Sequence, residues 1–156
     1  MSGQKRPPHD VGFVVQDLVN RISHRGGETL AIMGEAQVNL QQVLILMRLR
    51  EAGAQSVSGV AADLNLSRPA ASLAIERLVQ LGLAARVEDG VDRRRRIVSL
   101  KAEGARLIER LIEARAKEYE TALADIALPL RHKLAAVVSE VLMALRNAGG
   151  GAVGPH

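Results

Sequence analysis

Apolar residues recur along most of this chain with a helical period. Val11, Val14, Val15, Leu18, Val19 and Ile22 predict an amphipathic first helix. Gly26-Gly27 weakens the pattern, and Leu30 to Met33 either extends that helix or forms a short separate turn. Asn39 followed by Gln42 has the form of a capping box for a helix running to about Glu51, stopped by Gly53. Its apolar positions, Val43, Leu44, Leu46, Met47 and Leu49, predict a broad core face. Ser58 is the expected cap of a short helix with Val60, Ala61 and Leu64 on its core side. Ser67 or Arg68 caps the next, with Pro69 in its first turn, where a missing N–H costs little. That helix places Ala71, Ala74, Ile75 and Leu78 inward and ends at Gly82.

The period then changes. Leu83 to Val87 and Ile97 to Leu100 read as two short strands joined by the charged stretch Glu88 to Arg96, a hairpin. A long helix follows from about Glu103 to Asp125, with Leu107, Ile108, Leu111 and Ile112 as its stripe. Pro129 opens a last helix striped by Leu130, Leu134, Val137, Val138, Val141, Leu142 and Leu145. Residues 1–9 are polar and carry two prolines, and 148–156 are rich in glycine, so both ends are expected to be flexible tails.

Two short helices separated by the turn Asp63-Leu64-Asn65-Leu66-Ser67, then a charged hairpin, is the order of a winged helix-turn-helix. The expected fold is mainly α with a small β-hairpin wing, flanked by N- and C-terminal dimerisation helices, the alternative being that 11–22 packs against 130–145 within one chain. The boundaries expected are 10–36 for the N-terminal dimerisation region, 37–101 for the winged helix-turn-helix and 102–147 for the C-terminal dimerisation helices. With Ala71, Ala74, Ile75 and Leu78 inward, Arg68, Pro69, Ala70, Ser72, Leu73 and Glu76 face outward. Arg68 and Ser72 are the hydrogen-bonding base readers among them, and Ala70 and Leu73 suit thymine methyl groups. Leu73 has the alternative of partial burial against the wing. Arg77, near the helix end, suits a phosphate or an acidic side chain better than a base.

Composition sharpens this picture through what is missing. The 156 residues are 47% hydrophobic and 24% charged, ordinary for a globular chain. There is no Cys, which excludes disulfides, thiolate metal sites and thiol redox sensing. Phe13 and Tyr119 are the only aromatics, which argues against modules that stack bases on rings. The net charge of +4 is modest, so its location matters more than its size. Arg93, Arg94, Arg95 and Arg96 are consecutive, and no acidic residue follows until Glu103. Asp92 cannot pair with all four, so an external polyanion is the expected partner.

Residues 38–104 resemble the core of the MarR (multiple antibiotic resistance regulator) family of transcription factors. Val57 to Ser67 is similar to the first half of that family's motif, and Ile75 to Arg86 to the end of its recognition helix and following strand. Asp92-Arg93-Arg94, with Leu100 and Gly104 beyond, resembles its Asp-x-Arg wing. The flanking helices extend the likeness to about 10–147. The resemblance implies a homodimeric regulator of double-stranded DNA, Arg94 in the minor groove and Asp92 holding the wing's shape. It also implies outer helices interlocked between subunits and a small-molecule effector of unknown identity. The family's Leu-Thr after the wing is Leu100-Lys101 here, so Ser99 is the substitute cap, or the helix starts less sharply.

Other classes fit less well. His9, His24, His132 and His156 show no ligand spacing, and neither a phosphate loop nor a nucleophile elbow is present, so neither metal nor cofactor nor enzymatic activity is expected. A winged-helix protein-interaction module, or a nonspecific DNA-binding architectural protein, is the rival, and would not need an arginine-dense wing. An effector pocket built from polar groups would draw on His24, Arg25 and Arg48. No apolar run approaches membrane-spanning length and no leader pattern is evident, which predicts a cytoplasmic protein with no membrane partner.

Overall fold

The computed structural model describes residues 10–23, 27–88, 90 and 96–149, with only the backbone of Glu88 and Arg96. The tails and wing tip, including Asp92, Arg93, Arg94 and Arg95, and also His24 and Arg25, lie outside the described residues. The chain divides into two compact units, Gly26–Lys117 and Met1–Arg25 with Glu118–His156.

In the first of these, α2 (Glu28–Glu35) is a separate helix, resolving the ambiguity around Leu30. Its end turns through Gln37, a non-glycine residue at φ 55°. Helix α3 (Leu40–Ala52) starts at the expected capping box. Gln42 N–H donates to the Asn39 side chain at 2.9 Å, and Asn39 N–H donates to Gln42 Oε1 at 2.9 Å. Gly53, at φ 78°, ends it with a left-handed residue that only glycine adopts cheaply.

The core face of α3 differs from the expected one. Val43, Ile45, Leu46 and Leu49 are buried, whereas Leu44 and Met47 are exposed. A helix apolar on nearly every side has no periodicity to choose its inner face; packing decides.

A two-residue strand, β1 (Gln55–Ser56), precedes α4 (Val57–Asp63). The cap of α4 is Ser56, not Ser58: Gly59 N–H donates to Ser56 Oγ at 3.0 Å, and Ser58 lies within the first turn. The turn to α5 (Arg68–Gln80) passes through Asn65 at φ 51° and is closed by Leu66 N–H donating to Ala61 O at 2.8 Å. Ser67 then caps α5 through the Ala70 N–H, with Pro69 in the first turn. Helix α5 stops before Gly82 at φ 73°.

Strands β2 (Ala84–Glu88) and β3 (Arg96–Leu100) pair antiparallel, Ala84 opposite Leu100 and Glu88 opposite Arg96, as a wing hairpin. Strand β1 adds to the other side of β3 with Gln55 opposite Val98, making an unanticipated three-stranded sheet in the order β1-β3-β2. Ile45, Leu46, Leu49, Val60, Ile75, Leu78 and Val98 form the sealed centre between helices and sheet, joined by Ile108 of α6 (Ala102–Ala122). Of the stripe expected on α6, Leu107, Ile108 and Leu111 are buried and Ile112 is exposed.

The second unit contains α1 (Val11–Ser23), the end of α6, and α7 (Leu128–Gly149). Helix α1 buries none of its residues. On α7, Leu130, Val137, Val138, Val141, Leu142 and Leu145 are all exposed. Among the described residues, no single helix is long and apolar enough to cross a membrane.

Candidate nucleic-acid interface

Burial of Ala71, Ala74, Ile75 and Leu78 fixes the rotation of α5, and with it the face left open. At about 3.6 residues per turn, the centre of that open face is the ridge Pro69, Leu73, Glu76 and Gln80. Arg68 is exposed at the helix start, while Ala70 and Ser72 are half-buried at its margins. Leu73 is 71% exposed, so its side chain is not folded against the wing.

Arg77 lies on the opposite margin of the ridge from Ser72. Its Nη2 donates to Gln37 Oε1 at 3.0 Å, so its partner within the chain is an amide from the turn before α3 rather than an acidic side chain. That bond ties the open face to the start of α3. Between them runs a groove floored by Ala70 and Ala74 and edged by Gln41, Leu73, Glu76 and Gln80. Gln41 and Gln80 are not among the residues the sequence singles out, and Glu76 has no role there. The spacing of Leu73, Glu76 and Gln80 opposite the buried positions is the signal that points to them.

At the other side of the motif, Arg48 Nε donates to Asp63 Oδ2 at 2.7 Å, linking α3 to the last residue of α4, and Glu51 lies 4.0 Å from its Nη1. Arg48 is thus engaged in an ion pair, and the companions expected for it in an effector pocket, His24 and Arg25, fall outside the described residues. A separate groove between α2 and α6 is bridged by Arg110 with Glu35 at 3.1 Å and Lys117 with Glu28 at 3.6 Å.

The wing joins α6 without a hydroxyl cap. Ser99 sits within β3, opposite Ala85, and is not at the helix start. Lys101 N–H instead donates to Leu83 O at 3.1 Å. In the first turn, a hydrogen bond with its own backbone holds the Glu103 carboxyl below its ordinary range, opposed by desolvation and reinforced by the charges of Arg106 and Lys101. An acidic group there suits the positive end of the helix.

Residues 38–95, from the start of α3 into the wing, match the model of the MarR family. Over these residues the winged helix-turn-helix is similar to the MarR family. MarR proteins are DNA-binding transcriptional regulators, and solved structures share the fold of this chain beyond the matched residues. YusO from Bacillus subtilis is 26% identical, with 86% of this chain and 94% of that one covered at a TM-score of 0.67. The transcriptional regulator Tm0710 from Thermotoga maritima is 17% identical, covering 89% and 96% at 0.73. A MepR variant from S. aureus, bound to an oligodeoxyribonucleotide, is 16% identical, covering 87% and 98% at 0.63. The last two identities speak for a shared fold alone. No curated protein sequence matches the chain.

Proposed function

We propose that this chain is a homodimeric, sequence-specific binder of double-stranded DNA that represses transcription by covering its operator. The observation that carries this reading is the exposed face of α5, bounded by a turn and a wing and backed by a sealed core. An α-helix presented in this way fits the major groove, where all four base pairs are distinguishable. Arg68, Pro69, Ala70, Ser72, Leu73 and Arg77 contribute the helix contacts in this reading. Arg93, Arg94, Arg95 and Arg96 supply backbone charge from the wing, and Asp92 holds its loop. The MepR relative bound to an oligodeoxyribonucleotide lends the same support.

Dimerisation is carried by regions 10–36 and 102–147, whose exposed Val14, Val15, Val138 and Val141 need cover. Two protomers then read half-sites about one helical turn apart. In this reading a small-molecule effector acts by changing the separation of the two winged segments, weakening half-site register.

Selection of bound fragments from genomic DNA tests the proposal. Enrichment of a pseudo-palindromic site is the expected result. Fragments without a shared sequence would instead indicate an architectural DNA binder, and no retained DNA would favour a protein-interaction module.

A further inference from the structure

The centre of the DNA-facing ridge carries an apolar and an acidic residue, which is an odd pair to offer a polyanion. Leu73 is exposed, and Glu76, one turn on, is exposed with no ion pair among the described residues. Several other carboxylates in the same unit are spoken for: Glu35 by Arg110, Asp63 by Arg48, Glu109 by Arg50 and Glu103 by Arg106. Arg77, the neighbour best able to neutralise Glu76, instead donates to Gln37.

An unpaired carboxylate beside phosphates is repelled unless it accepts a hydrogen bond from the DNA. In the major groove the exocyclic amino group of cytosine has a C–H rather than an acceptor beside it on its own base and is the donor a carboxylate takes; the amino group of adenine stands next to N7, an acceptor on the same base. Leu73 has no polar atom to offer, and the apolar feature available in the major groove is the thymine methyl group. The groove beside both residues, floored by the small side chains of Ala70 and Ala74, leaves space for a base edge to approach.

We infer that Glu76 and Leu73 form a two-base reading unit, Glu76 accepting from the N4 amino group of a cytosine and Leu73 contacting the methyl group of a thymine on a neighbouring base pair. Their spacing agrees with this. Residues three apart are neighbours on one helix face, about 5–6 Å between their Cβ atoms, so their side chains can reach adjacent base pairs about 3.4 Å apart. The unit sits on the central ridge, whereas Arg68 and Ser72 flank it. This assignment rests on the DNA-binding reading above and adds which chemical groups of the half-site are read.

The test is selection from a randomised duplex library by the full chain, its Glu76→Gln variant and its Leu73→Ala variant. Both positions are exposed, and thermal unfolding of each variant verifies that it folds as the parent does. The parent is expected to enrich half-sites with a cytosine and thymine on neighbouring pairs. Replacing that cytosine should weaken parent binding about ten-fold. Glu76→Gln should lose the cytosine preference and gain adenine, which a glutamine amide pairs through N6 and N7. Deoxyuridine in place of that thymine should weaken the parent about four-fold, the effect of one methyl group, and leave Leu73→Ala unchanged. A specific site bound identically by parent and Glu76→Gln overturns the assignment while leaving the regulator reading intact. Failure of the parent to bind any duplex overturns both.

Discussion

Gly104 presses its bare Cα against the carbonyl oxygen of Leu83, where the first turn of α6 crosses the entry to the wing. A Cβ at 104 would fall inside the contact radius of that oxygen and 2.8 Å from Leu100 Cδ1. The same carbonyl accepts from Lys101 N–H at 3.1 Å, so backbone on both sides is held and cannot give way easily. The glycine at the end of the wing motif therefore has a steric cause. Gly104→Ala is expected to destabilise the fold by about 2 kcal/mol, read as a lower midpoint in chemical denaturation. Unchanged stability would mean that β2 and α6 separate without cost.

Arg48 and Asp63, 2.7 Å apart, join α3 to the residue that ends α4. Both side chains are about one-third exposed, so solvent weakens the pair. A double-mutant cycle with Arg48→Gln and Asp63→Asn is expected to give a coupling of about 0.5–1 kcal/mol in unfolding free energy. Additive effects would show that the bond has no net weight in setting the helix-turn-helix angle.

Local and long-range interactions differ in how far the sequence reveals them. The Asn39–Gln42 box and the Ser67 cap are legible because each bond spans three residues and depends on local backbone alone. The cap of α4 falls on Ser56 rather than the expected Ser58 because two serines stand in competing frames. Pairing of Ser56 with Ile97, far along the chain, holds the extended residue that becomes the cap. The inner face of α3 is blurred for the same reason: Ile45 and Leu44 are chemically alike, and only the assembled core separates them. At the candidate interface, the inward positions of α5 are readable from spacing, and its outward ridge follows. The Arg77–Gln37 bond, between residues 40 apart in sequence, is not.

The depressed pKa of Glu103 ties stability to pH with a definite sign. A carboxyl whose folded pKa lies below its ordinary value of 4.5 stabilises the folded state above that value, and the contribution fades as pH falls through the folded pKa. Glu103→Gln should therefore unfold at a lower temperature than the parent near pH 7, with the gap closing in acid. Thermal melts of both proteins across that range check it, and a gap independent of pH would count against the charge as the cause.

On α7, Val141 is 52% exposed within a stripe of exposed valines and leucines. Burying such side chains between two subunits stabilises by about 1.5–3 kcal/mol each, and a carboxylate among them removes that gain. For the homodimer of the proposed function, Val141→Glu is expected to give monomer in sedimentation velocity while its helical content is retained. Operator affinity should fall about 100-fold or more, because each half-site is then bound alone. An intact Val141→Glu dimer would place the interface elsewhere.

The four consecutive arginines from Arg93 to Arg96, the last of them opening β3, act, in the proposed function, through charge rather than base reading. Arg94→Ala should lower affinity for every duplex by a similar factor, leaving the preferred sequence unchanged. The dependence of log affinity on log salt should flatten by about one unit for each phosphate no longer neutralised. Titrations at two salt concentrations, on the selected site and on a scrambled one, measure both quantities. A weakening confined to the selected site would make Arg94 a base reader, and an unchanged slope would remove the wing from the phosphate backbone altogether.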